Sequence, residues 1–449
     1  MDFAKNKTMI KWIVWSLLFI ILGLLGTGHY KKILYGSDKT ITIGVFSDSY
    51  WDVQNGYAYQ ILDDAIEIFE KENPGVKVEY ESGIMKKDYS QWLAQHLLQG
   101  DAPDVFFVLK NDFIDFSQTG ALKDLSAFMA HDIHFSKDCF YQSVLMEGKY
   151  LDKQYALPYE CAPKLMFINK TILNQEGISV PAKDWTWNDF YKLCQKVTKD
   201  TDGNGTLDQF GVVGYTWRDA FRENGVVLFE KNGSSCNLDG DGVVEAIHHI
   251  ERINGLSEGY DVTVKDFDYG KVACMPMLFS EYRAYKSYPL SIKKYSGFEW
   301  ECVEMPAGPN GDNISSLDTL MLGMNANTPH ERLAWEFMKL LTTDPRIQTE
   351  IFDYSEGISV LKEVTESEET RIVLEQDGGE NVTMNTEVLG NVIDHAEVEP
   401  SFRHYDMAMQ QVDSLMQDII DGDQNISMEL IVSNRKINQY LNDMQSDKK

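Results

Sequence analysis

Apolar and polar positions alternate through residues 41–46 and read as a first strand. Residues 59–71 then place Ile61, Leu62, Ala65, Ile66, Ile68 and Phe69 at a helical period, and Asn73-Pro-Gly75 stops that helix. Alternation resumes at 76–80 as a second strand, 89–98 reads as a helix, and 104–109 is apolar enough for a buried strand. A strand–helix–strand–helix–strand order implies a mainly parallel sheet with helices on both faces. Ligands of such sheets bind beyond the carboxyl ends of the strands, which directs attention to the loops 48–51, 81–83 and 110–112.

The segment from Lys153 to Lys170 carries two apolar stretches interrupted at Pro158 and Pro163. Proline cannot donate to a sheet ladder, so the pair predicts two arms with a break between them, as in an extended hinge between lobes. An ordinary edge strand would read the same way. Tyr159 and Glu160 sit in the break. Beyond it the pattern predicts a helix at 187–199, an acidic Gly-rich loop, a strand at 211–217, a helix at 241–253 and a strand at 270–275 leading to a turn at 279–285. Residues 301–306 read as a return crossing, 331–342 as a helix, and 362–381 as a charged surface loop.

At 449 residues the chain is too long for one simple core, and two lobes are the natural division. The formal net charge of −29 would repel phosphate, so nucleic acid is not an expected partner. Six cysteines, at 139, 161, 194, 236, 274 and 302, contain no Cys-x-x-Cys and read as small buried hydrophobes. At the amino terminus a basic stretch (1–11, expected on the cytoplasmic side) precedes an apolar run at 12–28, followed by a polar tether at 29–39. The run reads as a signal anchor or signal peptide, with an uncleaved anchor the expected form and the body outside the cell.

Asp200, Asp202 and Asn204 alternate, Gly205 falls where a calcium loop needs a sharp turn, Thr206 could give a backbone carbonyl, and Asp208 stands at the ninth position. The twelfth position is Gly211, so the usual bidentate glutamate is missing. One structural Ca2+ is the expected cofactor, against a plain Asx-rich turn. Aromatic rings at predicted strand ends, Tyr50, Trp51, Tyr159, Trp217, Tyr282 and Tyr285, could cover the apolar face of a sugar. Asp48, Asp112, Glu160, Glu281 and Arg283 could pair with its hydroxyls. Trp185, Trp187 and Trp335 sit at core spacing and are assigned to packing. No Walker loop, Gly-x-Gly-x-x-Gly, Gly-x-Ser-x-Gly or His-Glu-x-x-His occurs, so an enzyme is not expected.

Tyr155-Ala-Leu-Pro158 followed by Phe167-Ile-Asn-Lys170 closely resembles the hinge of ABC-transporter extracellular solute-binding proteins of the carbohydrate-binding group (family 1). Glu67-Ile-Phe-Glu-Lys-Glu-Asn-Pro-Gly-Val-Lys-Val78, Ala102-Pro-Asp-Val-Phe106, Asp184-Trp-Thr-Trp-Asn-Asp-Phe190, Gly270-Lys-Val-Ala273 and Leu333-Ala-Trp-Glu-Phe-Met-Lys-Leu-Leu341 add to the likeness. The resemblance spans residues 40–342. It implies a two-lobed α/β fold of the periplasmic-binding-protein type II kind, with a first lobe at 40–158, a second at 159–304, a return to the first at 305–350 and carboxyl-terminal helices on the second at 351–449. It also implies capture of a carbohydrate, an oligosaccharide above all, by hinge closure, delivery to ABC permease subunits, and a monomer. Many such relatives carry a lipidated cysteine after the apolar run, whereas here the first cysteine is Cys139. The 200–211 loop resembles that of alginate-type binding proteins, in which the residue after the last Asp, here Gln209, helps close the metal site. The rival readings are a glycoside-active enzyme with two cleft carboxylates, and a binding or sensing protein for a peptide or cationic solute, which the acidic balance favours.

Overall fold

The computed structural model describes residues 39–446, apart from 53–56, 58, 258, 284–296, 379–381, 384–385, 401, 421 and 423–424. The apolar run at 12–28 and Tyr285 therefore lie outside the described residues. Among the described residues no helix is long and apolar enough to cross a membrane.

Twelve strands occur in chain order: β1 (Thr40–Gly44), β2 (Lys77–Tyr80), β3 (Val105–Val108), β4 (Lys149–Tyr150), β5 (Lys153–Gln154), β6 (Ala156–Asn169), β7 (Phe210–Val212), β8 (Val272–Leu278), β9 (Trp300–Val303), β10 (Leu317–Met324), β11 (Ile358–Ser359) and β12 (Val382–Thr383). All but the β4–β5 hairpin join one sheet, whose main path runs β12-β9-β6-β10-β3-β1-β2. β1 is parallel to both β2 and β3, as the alternation of strand and helix predicts. β10 enters antiparallel between β3 and β6.

The sheet turns on β6. Its first part, up to Pro163, pairs with β10, and its second part, from Lys164, lies between β8 and β9. One continuous 14-residue strand thus belongs to both halves of the molecule. The two prolines do not cut it into arms. The register against β10 slips between Leu320 and Met321, so that Pro158 and Glu160 find partners while Tyr159 is skipped. A bulge of this kind removes a ladder position, and the missing N–H of Pro158 is tolerated beside it. Pro163 falls at the last pair with β10, where the strand changes partners.

Along the second part of β6, Leu165 and Phe167 join the main core while Met166 and Ile168 pack into another, with Phe190, Leu193 and Cys194. Both faces are covered by helices, which explains why the segment is apolar without alternation. A further core beneath the carboxyl-terminal helices gathers Phe221, Ile247, Val412, Met416 and Leu441. All six cysteines are unpaired, and five of them are buried.

Four local expectations change. The 211–217 strand is only β7, because Thr216 and Asp219 form a capping box that starts the helix Trp217–Glu223. The 362–381 stretch holds the helices Lys362–Thr365 and Glu368–Gly378, the second laced by Arg371 to Glu368 and Glu375. Residues from 351 onward do not all sit on the second half: Pro345–Tyr354 packs on the helix Gln60–Glu72, and Thr386–Asp394 on Gln142–Glu147, both of the first half. The last crossing comes at 397–400, where the Glu397 amide donates to the Ser315 carbonyl at 2.9 Å. Only the helices from Tyr405 onward cover the second half.

Candidate functional site: the cleft between the halves

A cleft of about 430 Å3 opens where the two halves face each other. The first half supplies Lys110, Asn111, Phe113 and Ile114 from the start of the helix Lys110–Thr119, Glu147 from the end of Gln142–Glu147, and Asp318 and Met321 from β10. The second half supplies Arg218 and the face of Tyr405–Ile420 that carries Tyr405, Asp406, Met409, Gln410 and Asp413. Glu399 and Pro400 of the crossing segment complete the lining. Lys110 follows directly on β3, so the cleft lies off a strand's carboxyl end, as parallel sheets dictate.

Charge dominates this surface. Lys110 Nζ lies 3.0 Å from Glu399 and 3.8 Å from Asp318, with 32% of its side chain exposed to the cleft. Burial disfavours its charge, but Glu147, Glu399 and Asp318 outweigh that and hold the ammonium ionised. Glu399 is also shared with Arg222, 3.5 Å away, whose Nε donates to Glu397 at 2.6 Å. Burial raises the Glu399 carboxyl, yet Lys110 and Arg222 bring it below the usual carboxylate range. Glu147 goes the other way. Burial pushes it up to about 7, with Glu399 and Asp318 adding to the rise and Lys110 and Arg222 opposing it. Its Oε1 has no hydrogen-bond partner. Arg218 grips Asp413 through two contacts of 2.9 and 2.6 Å and lies 5.0 Å from the centre of the Trp217 ring. Altogether five carboxylates and two cations line the cleft.

The residues chosen from sequence fall largely elsewhere. Tyr50, Trp51, Tyr159 and Glu160 do come together, with Asp48, on the hinge side of the first half. Asp48, Tyr50, Tyr159 and Glu160 line a space of only about 60 Å3, room for water but not for a sugar ring, and Trp51 packs outside it against Tyr50. Tyr50 and Trp51 meet edge to face at 4.8 Å, and the Tyr50 hydroxyl donates to the Thr319 carbonyl at 3.3 Å. Glu160 is 4% exposed and accepts from the Ser355 hydroxyl. Its carboxyl is raised to about 7 by burial, with Glu356 adding to the rise and Ser355, Trp51 and Arg283 opposing it. Asp48 accepts from the Lys86 amide at 2.6 Å, and Asp112 from Ser90 at 2.6 Å.

Glu281 is exposed, whereas Tyr282 and Arg283 are fully used in packing, which corrects their assignment to ligand contact. Tyr282 wedges between Phe167 and Trp300. Arg283 is 1% exposed and reaches from the second half into the first, donating to the carbonyls of Gly357 and, at 2.5 Å, Phe352. The Phe352 carbonyl lies in the last turn of Pro345–Tyr354, where helical acceptors lack partners, and Gly357 follows that helix. Trp217 alone of the set lies beside the cleft, next to Arg218. The loop 110–112 was marked by the strand-end rule, but Lys110 went unchosen. Glu399, Tyr405 and Asp413 come from a region with no motif to flag it.

In the acidic loop, Asp200, Asp202 and Asp208 bring carboxylate oxygens within 4.8 Å of one another. Asp200 accepts from the amides of Gly203 and Gly205, at 2.7 and 2.6 Å, and both glycines have positive φ. Asn204 turns its side-chain oxygen to the Thr206 amide at 2.8 Å. Gln209 faces away, donating to the Val197 carbonyl at 2.8 Å and to Glu176 at 3.3 Å, and so does not close the loop.

The profile of a family described as bacterial extracellular solute-binding protein matches residues 50–345. The chain belongs to that family. Its fold is similar to an ABC substrate-binding protein from Listeria monocytogenes in complex with cycloalternan, at 19% identity and a TM-score of 0.65, covering 90% of this chain and 100% of that one. It is similar also to the sugar-binding protein MalE of Xanthomonas citri, at 15% identity and a TM-score of 0.73, over 90% and 98% of the chains. A third is the GacH receptor of Streptomyces glaucescens, solved unliganded and with acarbose, at 17% identity and a TM-score of 0.64, over 91% and 100%.

Proposed function

We propose that this solute-binding protein captures a carbohydrate, an oligosaccharide above all, in the cleft and delivers it unchanged to an ABC permease. The observation that carries the reading is the cleft itself, in a member of this family, with acceptor-rich walls contributed by both halves. Carboxylates and amides there can accept from sugar hydroxyls while Tyr405, Met321 and Met409 offer apolar cover. Closure follows from differential affinity: a ligand touching both halves favours the state in which both contacts are made. The 12–28 run would hold the body at the outer face of the cell membrane, the protein would act as a monomer, and the 200–208 loop would hold one structural Ca2+.

A thermal-shift screen against mono- and oligosaccharides, peptides and polyamines tests the reading, because a ligand that binds only the folded state must raise the melting temperature with dose. Glycans that raise it without being turned over support the proposal. A response to peptides alone, or hydrolysis of the glycan, defeats it.

A further inference from the structure

The cleft carries more negative charge than its own cations balance. Five carboxylates line it against two cations, and both cations are committed, Lys110 to Glu399 and Asp318, and Arg218 to Asp413. Glu147 and Asp406 form no ion pair among the described residues, Asp406 on the exposed rim and Glu147 at the base. Glu147 is only 8% exposed, yet its Oε1 has no donor. A buried carboxylate oxygen without a donor is costly, so the site is poised for a group that brings one. A neutral sugar hydroxyl could fill the hydrogen bond. It would leave the charge surplus uncompensated, whereas an ammonium would satisfy both.

We infer that the cleft selects saccharides bearing a free amino group, with Glu147 receiving the ammonium. The inference rests on the carbohydrate reading above and narrows it. Lys110 is shared by Glu147, Glu399 and Asp318, pairing directly with the last two, so one cation is divided among three acids and an incoming ammonium adds to it. The groups that act on the Glu147 carboxyl are Lys110, Arg222, Glu399 and Asp318, with Tyr50 and Cys161 near enough to feel its charge. Ionised Glu147 is the form that attracts an ammonium, so affinity should climb as the pH rises towards 7 and fall again once the sugar's own amine loses its proton.

The test is titration calorimetry of the full-length protein with the trimer of glucosamine, the trimer of N-acetylglucosamine, maltotriose and spermidine, at low and high salt. The free-amine trimer should bind at least about tenfold tighter than its N-acetylated twin, an advantage that shrinks with salt. Glu147→Gln should erase most of that advantage, weakening the free-amine trimer several-fold more than the N-acetylated one. If Glu147→Gln fails to fold, Asp406→Asn on the exposed rim should reduce the advantage by a smaller factor, about twofold to fivefold. Equal binding of the two trimers overturns the amino preference and leaves the carbohydrate reading standing. Binding of spermidine with no saccharide overturns both, and a preference unchanged in every folded variant removes Glu147 from the role.

Discussion

Substituting Glu160 by Gln separates a hinge acid from a ligand contact. The carboxyl is buried, accepts from Ser355, and has its pKa raised from 4.5 to about 7. The unfolded chain releases this proton near 4.5 and the folded chain holds it until about 7. The folded state therefore binds the extra proton in that window, and stability is fully present below 4.5, falls as the pH rises to 7, and is flat above. At about 1.4 kcal/mol per pH unit, the rise from 4.5 to about 7 sets an upper limit of ~3.5 kcal/mol on what ionisation of Glu160 costs the fold at pH 8. Gln keeps an acceptor for Ser355, stays neutral at every pH, and can donate towards Glu356. Urea unfolding followed by tryptophan fluorescence at several pH values should show wild type and variant nearly equal at pH 4.5, with the variant ahead by ~1–3 kcal/mol at pH 8. Ligand affinity at acid pH should stay within about twofold, since Glu160 does not line the cleft. A stability difference that does not change with pH would refute the assignment of this charge, and a large loss of affinity would return Glu160 to the binding site.

Arg283→Met removes the donor from the carbonyls of Phe352 and Gly357 and should cost ~3 kcal/mol in urea unfolding, with Arg283→Lys recovering part of it. Lys110→Met leaves Glu147, Asp318 and Glu399 without their shared cation. Because the lysine is a third exposed, the expected loss is only ~1–2 kcal/mol at pH 8, and acid should relieve it as Glu147 protonates. For the acidic loop, equilibrium dialysis should find one Ca2+ on the wild type and none on Asp202→Ala; a wild type that binds no Ca2+ ends the idea.

The order of elements up to β3 was legible because each carries its own period and its own stop, such as Asn73-Pro-Gly75 after the first helix. The continuity of β6 was not. Pro158 and Pro163 look like breaks in one dimension, and only the partner strands reveal that one sits by a bulge and the other at a change of neighbour. The same limit applies to the site. Tyr50 and Trp51 were expected at a strand end and Tyr159 and Glu160 in a break, whereas the last two lie inside β6, and a sequence does not say whether such a group faces a cleft or seals a hinge. Here Ser355, Glu356 and Tyr354 come from nearly 200 residues away and close over it. Glu399 sits on an irregular connection and Asp413 on a helix whose period marks nothing more, so their meeting with Lys110 and Arg218 is a product of the third crossing alone.

That third crossing ties recognition to motion. Glu397 and Glu399 lie on the segment passing between the halves, and their partners are divided, Lys110 on the first and Arg222 on the second. A rotation of one half about β6 must lengthen or reorganise at least one of these contacts, because a single short segment cannot follow both. The acids thereby serve as shared ligands of the two halves in the absence of solute. A solute that donates to the same carboxylates enters the same competition, and it shifts the equilibrium only by as much as it prefers one arrangement to the other. Arg283 works against such freedom on the far side of the hinge, holding the helix Phe279–Arg283 to the carbonyls at 352 and 357. With β6 continuous and this contact buried, the hinge side is the stiff edge and the charged cleft the side that opens. Loosening Arg283 should therefore alter the opening equilibrium as well as stability, and solute affinity in Arg283→Met should change even though Arg283 lines no part of the cleft.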